Sequence, residues 1–302
     1  MSRTYPALEI HSTKIADEDY FDRLMAALDD ASPTAVEERN DGSVRVFFGT
    51  EAARAHGAEL LRAFVDLRVL SLEISDEDWA ARSQKGLGPV HVGRIEVVTE
   101  TDPGRRFSEA AEGKPTPGIG FRIAIPPSMG FGTGHHASTR RCLELLQRIP
   151  LEGARVLDAG TGSGLLAIAA WRLGAASVVA LDCDPDALIA AAENLERNGA
   201  SPAVQIVEVD LATLPRQQDP RVRPPFDLVL ANLTGSLLER SAGILAGLLG
   251  PGGRLIASGF REDESRAVAE AFSRESLTIA DRSEEEGWIG ALFTSPSASR
   301  AL

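Results

Sequence analysis

Cysteine is nearly absent from the chain, which contains only Cys142 and Cys183. The two residues form neither a Cys-x-x-Cys pair nor a spacing typical of metal ligands. This scarcity excludes a small fold held together by disulfides and argues against a cysteine-based metal site. We therefore expect both thiols to be reduced and buried in the core.

Long apolar runs are also missing from the sequence. No stretch approaches the roughly 18–20 consecutive apolar residues that a membrane-spanning helix requires. The first residues, Met-Ser-Arg-Thr-Tyr-Pro, lack the apolar core of a signal peptide. With 43% apolar and 25% charged residues among 302, the composition is that of a globular protein long enough for two domains. We expect a cytoplasmic protein without a membrane partner.

Basic residues are outnumbered, with 31 Lys and Arg against 44 Asp and Glu. The imbalance is concentrated in residues 1–78, which hold 8 basic and 17 acidic side chains, whereas residues 79–302 hold 23 and 27. An acidic surface argues against direct binding of nucleic acid, which needs a basic one. Two interpretations stay open: a surface complementary to a basic protein partner, or a solvated acidic face that only aids solubility.

Residues 1–78 follow the pattern β-α-β-β-α-β. Asn-Asp-Gly at residues 40–42 lies between two apolar strands and predicts a hairpin. Apolar residues at helical spacing predict a helix on either side of that hairpin. The predicted elements are strands at 5–12, 34–39, 43–48 and 69–74, and helices at 17–28 and 51–64. This order is that of a ferredoxin-like α+β domain. It contains no cluster of catalytic residue types, so binding is its expected role.

Residues 79–120 change character and are predicted to link two domains. Residues 90–98 read as one extended strand, and residues 101–120 are polar, with several prolines and glycines that predict a loop.

A glycine-rich stretch with two adjacent histidines follows at residues 121–139. Its glycines are Gly130, Gly132 and Gly134. They would let this loop lie over a ligand that another loop holds. His135 and His136 point in different directions and have no third ligand nearby in sequence. A helix N-cap or a role in a lid over the substrate is therefore favoured over a metal site, and we expect no metal.

A second glycine-rich loop, Val156–Gly164, reads Val-Leu-Asp-Ala-Gly-Thr-Gly-Ser-Gly and joins a strand to an apolar helix. The dinucleotide fingerprint requires glycine at the sixth position, where Leu165 stands. The phosphate-binding loop requires a lysine, which is absent here. Asp158 suits a cationic ligand better than a phosphate. The pattern resembles the first motif of class I methyltransferases, which use S-adenosylmethionine.

Acidic residues follow the next two predicted strands. Asp182 ends the strand at 177–181, about 20 positions beyond the glycines, where a ribose diol would be held. Asp210, followed by Leu211, ends the third strand and would accept from an adenine amino group. Each aspartate has the alternative role of capping the helix that follows it.

Asn232 follows the fourth predicted strand, 226–230, in the sequence Ala-Asn-Leu-Thr. Ligands of open parallel sheets bind beyond the carboxyl ends of the strands. The amide oxygen of Asn232 would accept a hydrogen bond from an attacking amine and orient its lone pair. The alternative is an N-cap for the helix predicted at 237–249. A fifth strand at 254–258 and a closing antiparallel pair at 277–281 and 288–294 complete the pattern.

Taken together, these motifs resemble the bacterial PrmA family, the methyltransferases of ribosomal protein L11. The most specific match is Phe131–Thr139, Phe-Gly-Thr-Gly-His-His-Ala-Ser-Thr, to that family's lid motif, Phe-Gly-Thr-Gly-Thr-His-Pro-Thr-Thr. Glu77-Asp78-Trp79, residues 89–98 and Gly287-Trp288 resemble other segments of the family. The resemblance implies an α/β fold: a seven-stranded, Rossmann-like class I methyltransferase domain at 121–295, preceded by a ferredoxin-like substrate-recognition domain at 1–78.

The chain departs from the family pattern near the acceptor site. Pro126 stands where the family has an aspartate, and His135 and Ala137 replace a threonine and a proline. Thr234 ends the motif after the fourth strand, where the family has leucine. These changes leave the cofactor motifs intact and bear on the identity of the methyl acceptor.

The resemblance implies an S-adenosylmethionine-dependent N-methyltransferase for protein amino groups, acting as a monomer on the basic ribosomal protein L11. Alternatives are another protein, a small amine, or a binding protein without catalysis. The expected catalytic residues are Phe131, packing on the alkyl stem of the amine, Thr133 and Asn232, hydrogen-bonding around it, and His136, a candidate base. The expected cofactor-binding residues are Thr133, Gly134, Asp158, Gly160, Thr161, Gly162, Gly164, Asp182, Asp210, Leu211 and Asn232.

Overall fold

The computed structural model describes residues 4–15, 18–28, 31, 33–39, 42–64, 66–75, 88–98, 120–126, 134–214 and 219–297. The chain divides into two compact units, Met1–Lys85 and Gly86–Leu302. The predicted domain ranges 1–78 and 121–295, with a linker between them, stay predictions. Most of that linker, including Trp79, lies outside the described residues.

The first unit is the predicted ferredoxin-like arrangement, and its fold class is confirmed. Its elements are β1 (Thr4–His11), α1 (Glu18–Leu28), β2 (Pro33–Glu38), β3 (Val44–Phe48), α2 (Glu51–Leu60), a short 3-10 helix (Leu61–Ala63) and β4 (Arg68–Ser75). The sheet order is β2-β3-β1-β4, and each neighbouring pair is antiparallel. Apolar side chains of the strands and helices form one core, including Leu8, Ile10, Leu24, Leu28, Val46 and Phe48.

A three-stranded sheet begins the described part of the second unit. It consists of β5 (Val90–Val92), β6 (Ile95–Val98) and β7 (Phe121–Ala124), in the order β5-β6-β7. The single strand predicted over residues 90–98 is wrong. Gly93 adopts a φ of +55°, which turns the chain and pairs β5 with β6 as an antiparallel hairpin.

A seven-stranded sheet dominates the second unit, as predicted. Its strands are β8 (Arg155–Ala159), β9 (Ser177–Asp182), β10 (Val204–Glu208), β11 (Phe226–Asn232), β12 (Leu249–Arg261), β13 (Thr278–Glu285) and β14 (Trp288–Thr294). The order β10-β9-β8-β11-β12-β14-β13 makes the first five strands parallel. β14 lies antiparallel between β12 and β13, which confirms the closing pair.

Helices cover both faces of this sheet. They are α3 (Ala137–Leu146), α4 (Leu165–Arg172), α5 (Pro185–Arg197), α6 (Gly235–Gly247) and α7 (Ser265–Arg274). One core joins side chains of α3, α4 and α5 to one face, and a second joins α6 and α7 to the other. Strands buried on both faces must be apolar throughout, so the polar residues of the central strands collect at their ends.

The fifth strand of the sheet differs from its predicted range. The strand predicted at 254–258 is part of the longer strand β12, which begins at Leu249 and whose register shifts between its pairs with Phe226 and Leu228. Among the described helices, none combines the length and apolar character needed to cross a membrane.

Candidate functional site

A cavity of about 420 Å³ opens at the carboxyl ends of the central parallel strands. It lies at the end of β8, which has β9 on one side and β11 on the other. The order of the strands along the chain reverses at β8. Ligands of open α/β sheets bind at this kind of position. The lining residues are Thr139, Gly160, Thr161, Gly162, Ser163, Leu165, Leu166, Leu181, Asp182, Cys183, Asp184, Ala187, Val209, Asp210, Leu211, Asn232, Leu233 and Leu237.

The glycine-rich loop after β8 forms one wall of this cavity. Gly160 has a φ of +72°, and a Cβ placed there would lie 2.5 Å from Cδ2 of Leu233. A side chain at this position would therefore push into the residue that follows Asn232. Gly164 lies outside the lining residues and caps α4 with a left-handed backbone.

Asp158 stabilises the loop from beneath. It is 1% exposed, and its Oδ2 accepts from the Thr161 hydroxyl at 2.7 Å and from the Ala167 N–H at 3.1 Å. Burial raises the pKa of this carboxyl group to about 7, and the nearby charge of Asp182 adds to the rise. Asp158 is not among the lining residues. The geometry thus connects it to the loop and to α4 rather than to the cavity.

Asp182 lies at the end of β9 and faces the glycine loop. Its Oδ2 accepts from the Gly162 N–H at 2.9 Å, and its Oδ1 accepts from the Asp184 N–H at 3.1 Å. The cap of α5 is Asp184, so the capping alternative does not apply to Asp182. A carboxylate has about four acceptor sites, which leaves Asp182 able to bind further donors.

Asp210 and Leu211 follow β10 and also line the cavity. The Oδ1 of Asp210 accepts from the Ala212 N–H at 2.8 Å, while the carboxylate stays exposed. Leu211 is buried, 7% exposed. A charged acceptor beside an apolar side chain suits a flat heteroaromatic ring that carries an amino group.

Asn232 ends β11, on the opposite side of the loop from Asp182. The cap of α6 is Thr234, so the capping alternative for Asn232 is wrong. Its Nδ2 donates to the Thr139 hydroxyl oxygen at 3.1 Å. Its Oδ1 is buried and accepts no hydrogen bond within the described part of the chain. An unpaired buried acceptor carries a desolvation cost that a bound donor would relieve.

The two histidines lie at the start of α3. His136 caps this helix, with Nδ1 accepting from the Ser138 N–H at 3.3 Å, as the sequence suggested. Its ring packs edge-on against Trp288, with centroids 4.4 Å apart. Burial and then the charge of Arg140 lower the pKa of His136. His135 Nε2 lies 3.1 Å from the Gly88 carbonyl oxygen. Among the described residues, no group of three potential ligands could hold a metal ion.

The structure gathers most predicted residues but leaves some apart. Thr161 and Gly162 line the cavity with Gly160, Asp182, Asp210, Leu211 and Asn232. Gly134 lies outside the lining and is buried against Val97 and Leu165. Phe131 and Thr133 lie outside the described residues.

Cys183 and Thr139 are among the lining residues that the sequence analysis did not assign to the site. Cys183 is exposed at the cavity wall, so the expectation of a buried thiol holds for Cys142 but is wrong for Cys183. Its place between Asp182 and Asp184, at a strand end, could have indicated this. Thr139 lies within the matched lid motif, but nothing in its spacing relates it to Asn232.

The chain matches the profile of the family described as ribosomal protein L11 methyltransferase (PrmA) over residues 4–295. The ribosomal protein L11 methyltransferase of Pelotomaculum thermopropionicum is 41% identical over 72% of this chain. That match spans 65% of the relative's own length. The corresponding protein of Geobacter sulfurreducens is 38% identical over 87% of this chain and 85% of its own.

A solved structure agrees with these sequence matches. The crystal structure of the ribosomal protein L11 methylase of Lactobacillus delbrueckii subsp. bulgaricus superposes with a TM-score of 0.59 at 27% identity. The superposition covers 69% of this chain and 98% of that protein.

Proposed function

The chain belongs to the ribosomal protein L11 methyltransferase family, and on that premise we propose that it transfers methyl groups from S-adenosylmethionine to amino groups of ribosomal protein L11. The observation that carries the proposal is the cavity at the carboxyl edge of the sheet. The glycine loop, Asp182, Asp210 and Asn232 all line this cavity. The alternatives are methylation of another amine and binding of the cofactor without catalysis.

The residues present fit the cofactor. The cavity volume of about 420 Å³ lies within the range of small-molecule sites. At Gly160 a side chain would meet the Leu233 side chain and would need a left-handed backbone, so a glycine with bare backbone suits this wall of the cavity. Asp182 keeps acceptor sites for a ribose diol, and Asp210 with Leu211 offers an acceptor and an apolar surface for adenine. The unpaired Oδ1 of Asn232 is left for a donor of the acceptor substrate.

The sulfonium of the cofactor supplies an activated methyl group with a good leaving group already attached. The protein's contribution is therefore mainly to position the acceptor and exclude water. A lysine amine has a reference pKa near 10.4, so it must lose a proton before it can attack. Desolvation in a closed cavity lowers that pKa. The Oδ1 of Asn232 then accepts from the neutral amine and directs its lone pair.

The other proposed catalytic residues stay predictions. Phe131 would pack on the alkyl stem of the amine, and Thr133 would hydrogen-bond near it. His136 serves α3 as a cap, and burial lowers its pKa, which favours the neutral ring. In that ring Nδ1 accepts from the Ser138 N–H and Nε2 carries the proton, so a base role requires that His136 release the cap. His136 is not among the cavity-lining residues, so a base role also requires that a substrate approach it from outside the cavity.

The acidic first unit supports a basic protein as the acceptor. Residues 1–78 carry 17 acidic side chains against 8 basic ones, and opposite charge steers association. We propose that this unit recognises the acceptor and that the enzyme acts as a monomer. Acting on a ribosomal protein, it would work in the cytoplasm, with no membrane or direct nucleic-acid partner. Association with L11 that weakens as salt is raised would support the charge argument.

The test is a methyl-transfer assay with purified L11 and S-adenosylmethionine carrying a labelled methyl group. A total cell extract is offered separately, and mass spectrometry identifies every labelled protein. Asp182→Ala serves as the binding-impaired variant. Asp227→Ala is its matched control, because Asp227 also accepts a backbone N–H, from Arg155 at 2.8 Å, but does not line the cavity.

Label on L11 with the unmutated protein and Asp227→Ala, but reduced with Asp182→Ala, supports the proposal. Label only on another molecule keeps the chemistry and replaces the acceptor. Cofactor binding without any label favours the non-catalytic alternative.

A further inference from the structure

The sheet holds the backbone of Asn232 but not its side chain. Its backbone is fixed by the sheet: Asn232 pairs with Ser258 in the β11–β12 ladder, and the next N–H, of Leu233, donates to the Ser258 carbonyl at 2.9 Å. The side-chain torsions are left to be set by other contacts. The last of them is a broad, two-fold torsion, so the sheet alone does not decide which end of the amide points where.

The side chain of Thr139 supplies such a contact. Thr139 lies in the first turn of α3 and is 1% exposed. Its N–H donates to the His136 carbonyl at 3.1 Å, and the following helix is anchored by buried residues such as Cys142 and Leu143. A β-branched side chain in a helix has few χ1 states. Burial and the few χ1 states restrict the Thr139 hydroxyl, whose oxygen lies 3.1 Å from the Nδ2 of Asn232.

Fixing one end of an amide also defines the other. With Nδ2 bound to Thr139, the acceptor Oδ1 is the end that remains without a partner within the described residues. If the amide were reversed, its NH2 group would donate to the lone pair of the acceptor amine, and that lone pair would not be free to attack the methyl group. The contact spans two elements that are 93 positions apart in sequence.

We propose that Thr139 is a positioning residue for methyl transfer, which holds the amide of Asn232 with its oxygen available to the acceptor amine. This inference rests on the proposed function and extends it to a residue outside the predicted site. Thr139 acts through Asn232, so its loss changes turnover rather than cofactor binding.

The test compares Thr139→Val, which keeps the shape and removes the hydroxyl, with Thr139→Ser, which keeps the hydroxyl. Thr139→Val should lower kcat for amine methylation about 10- to 100-fold, with the cofactor Kd changed less than about threefold. Thr139→Ser should restore most of kcat. Thr278→Val is the control, because it removes a hydroxyl that pairs with Thr294 at 3.2 Å on β13–β14, away from the cavity.

A double-mutant cycle shows whether the effect passes through Asn232. In an Asn232→Ala background, Thr139→Val should cause no further loss of kcat. An undiminished loss in that background, unchanged kcat in Thr139→Val alone, or a Thr139→Ser variant as slow as Thr139→Val would each overturn the proposal.

A measurement independent of the acceptor separates this inference from the proposed function. The side-chain amide NMR signal of Asn232 is assigned by its loss in Asn232→Asp. In Thr139→Val, but not in Thr139→Ser, that signal should move and its protons should exchange faster with water. An unchanged signal refutes the positioning role even if methylation is observed. A moved signal in an enzyme that methylates no amine refutes the proposed function while the contact stands.

Discussion

The two sides of the cavity are built from different chemistry. On the β9 side, both carboxylate oxygens of Asp182 accept backbone N–H groups, and one of these belongs to the glycine loop. On the β11 side, the amide of Asn232 is held at one end by Thr139 and is unpaired at the other. The first side is an ordered acceptor surface that needs no partner to be stable. On the second side, the Oδ1 of Asn232 is left to accept a hydrogen bond from a bound molecule.

This difference separates binding from turnover. Interactions made equally in the ground and transition states lower the free energy of binding without raising kcat. The Asp182 side, which orders the loop, is expected to act in this way. An interaction made with the attacking amine acts on kcat. Changes on the two sides should therefore produce different kinetic signatures.

The largest effect is expected on the free energy of unfolding, from a substitution whose new side chain would collide with the backbone after β11. Gly259 has a φ of +92°, and a Cβ there would lie 2.3 Å from the Leu233 carbonyl oxygen. Gly259→Ala should lower the free energy of unfolding by about 2–4 kcal/mol, since strain and overpacking add. Urea denaturation measures it. Gly247→Ala is the control, because nothing lies within 4 Å of its Cβ position, and it should be neutral or stabilising. Equal stabilities of the two variants would contradict the close approach.

The second effect tests the amide side directly. Asn232→Ala should lower kcat about 100-fold, the scale on which loss of a positioned hydrogen-bonding group slows an enzyme. The cofactor Kd should change little. Steady-state kinetics and calorimetric titration of the cofactor measure the two quantities. A large rise in Kd with unchanged kcat would reverse the assignment of the two sides.

The third effect tests the carboxylate side. Asp182→Ala should weaken cofactor binding by about 1–3 kcal/mol, the range for hydrogen bonds to a charged group. It should leave kcat at saturating cofactor within about tenfold of the unmutated protein. Calorimetric titration gives the Kd, with Asp227→Ala as the control outside the cavity. An unchanged Kd would remove Asp182 from the site.

The smallest effect concerns Asp158, which supports the glycine loop. It is a gradual change of the free energy of unfolding with pH. Because burial raises the pKa of Asp158 from 3.8 to about 7, the folded state keeps a proton that the unfolded state releases. The stabilisation from this group is complete below pH 3.8 and is lost as pH rises to about 7. The slope is at most about 1.4 kcal/mol per pH unit.

Asp158→Asn should remove this component. The difference in free energy of unfolding between the unmutated protein and Asp158→Asn should fall as pH rises from about 4 to about 7. Chemical denaturation at a series of pH values measures it. A difference that stays constant, or grows with pH, would show that the carboxyl group is ionised in the folded protein.

Periodicity and strand-end residues were enough to predict most of the fold. Central strands of the parallel sheet are buried on both faces and read as apolar runs, so Asp182 and Asn232 mark their ends. Asp210 follows the edge strand β10, which alternates between buried and exposed residues. The hairpin within residues 90–98 was missed because Gly93 turns a stretch in which apolar residues continue on both sides. The alternation of apolar and polar residues does not show whether a single glycine adopts a positive φ.

The site was less predictable, because its contacts join residues far apart in the chain. Asp158 precedes the glycines as a nucleotide-binding residue would, yet its burial against Ala167 turns it away from the cavity. The contact of Thr139 with Asn232 depends on how α3 packs near the end of β11. For neither Asp158 nor Thr139 does the neighbouring sequence indicate which residue it contacts.

The most direct test of the two-sided cavity is a crystal structure of the protein with S-adenosylhomocysteine. The ribose hydroxyls are expected to donate to Asp182, the adenine to lie beside Leu211, and the sulfur to lie nearer the Asn232 amide than the Asp182 carboxylate. A ligand bound in the reverse direction, or bound without contact to Asp182, would contradict the assignment of binding to one side and methyl transfer to the other.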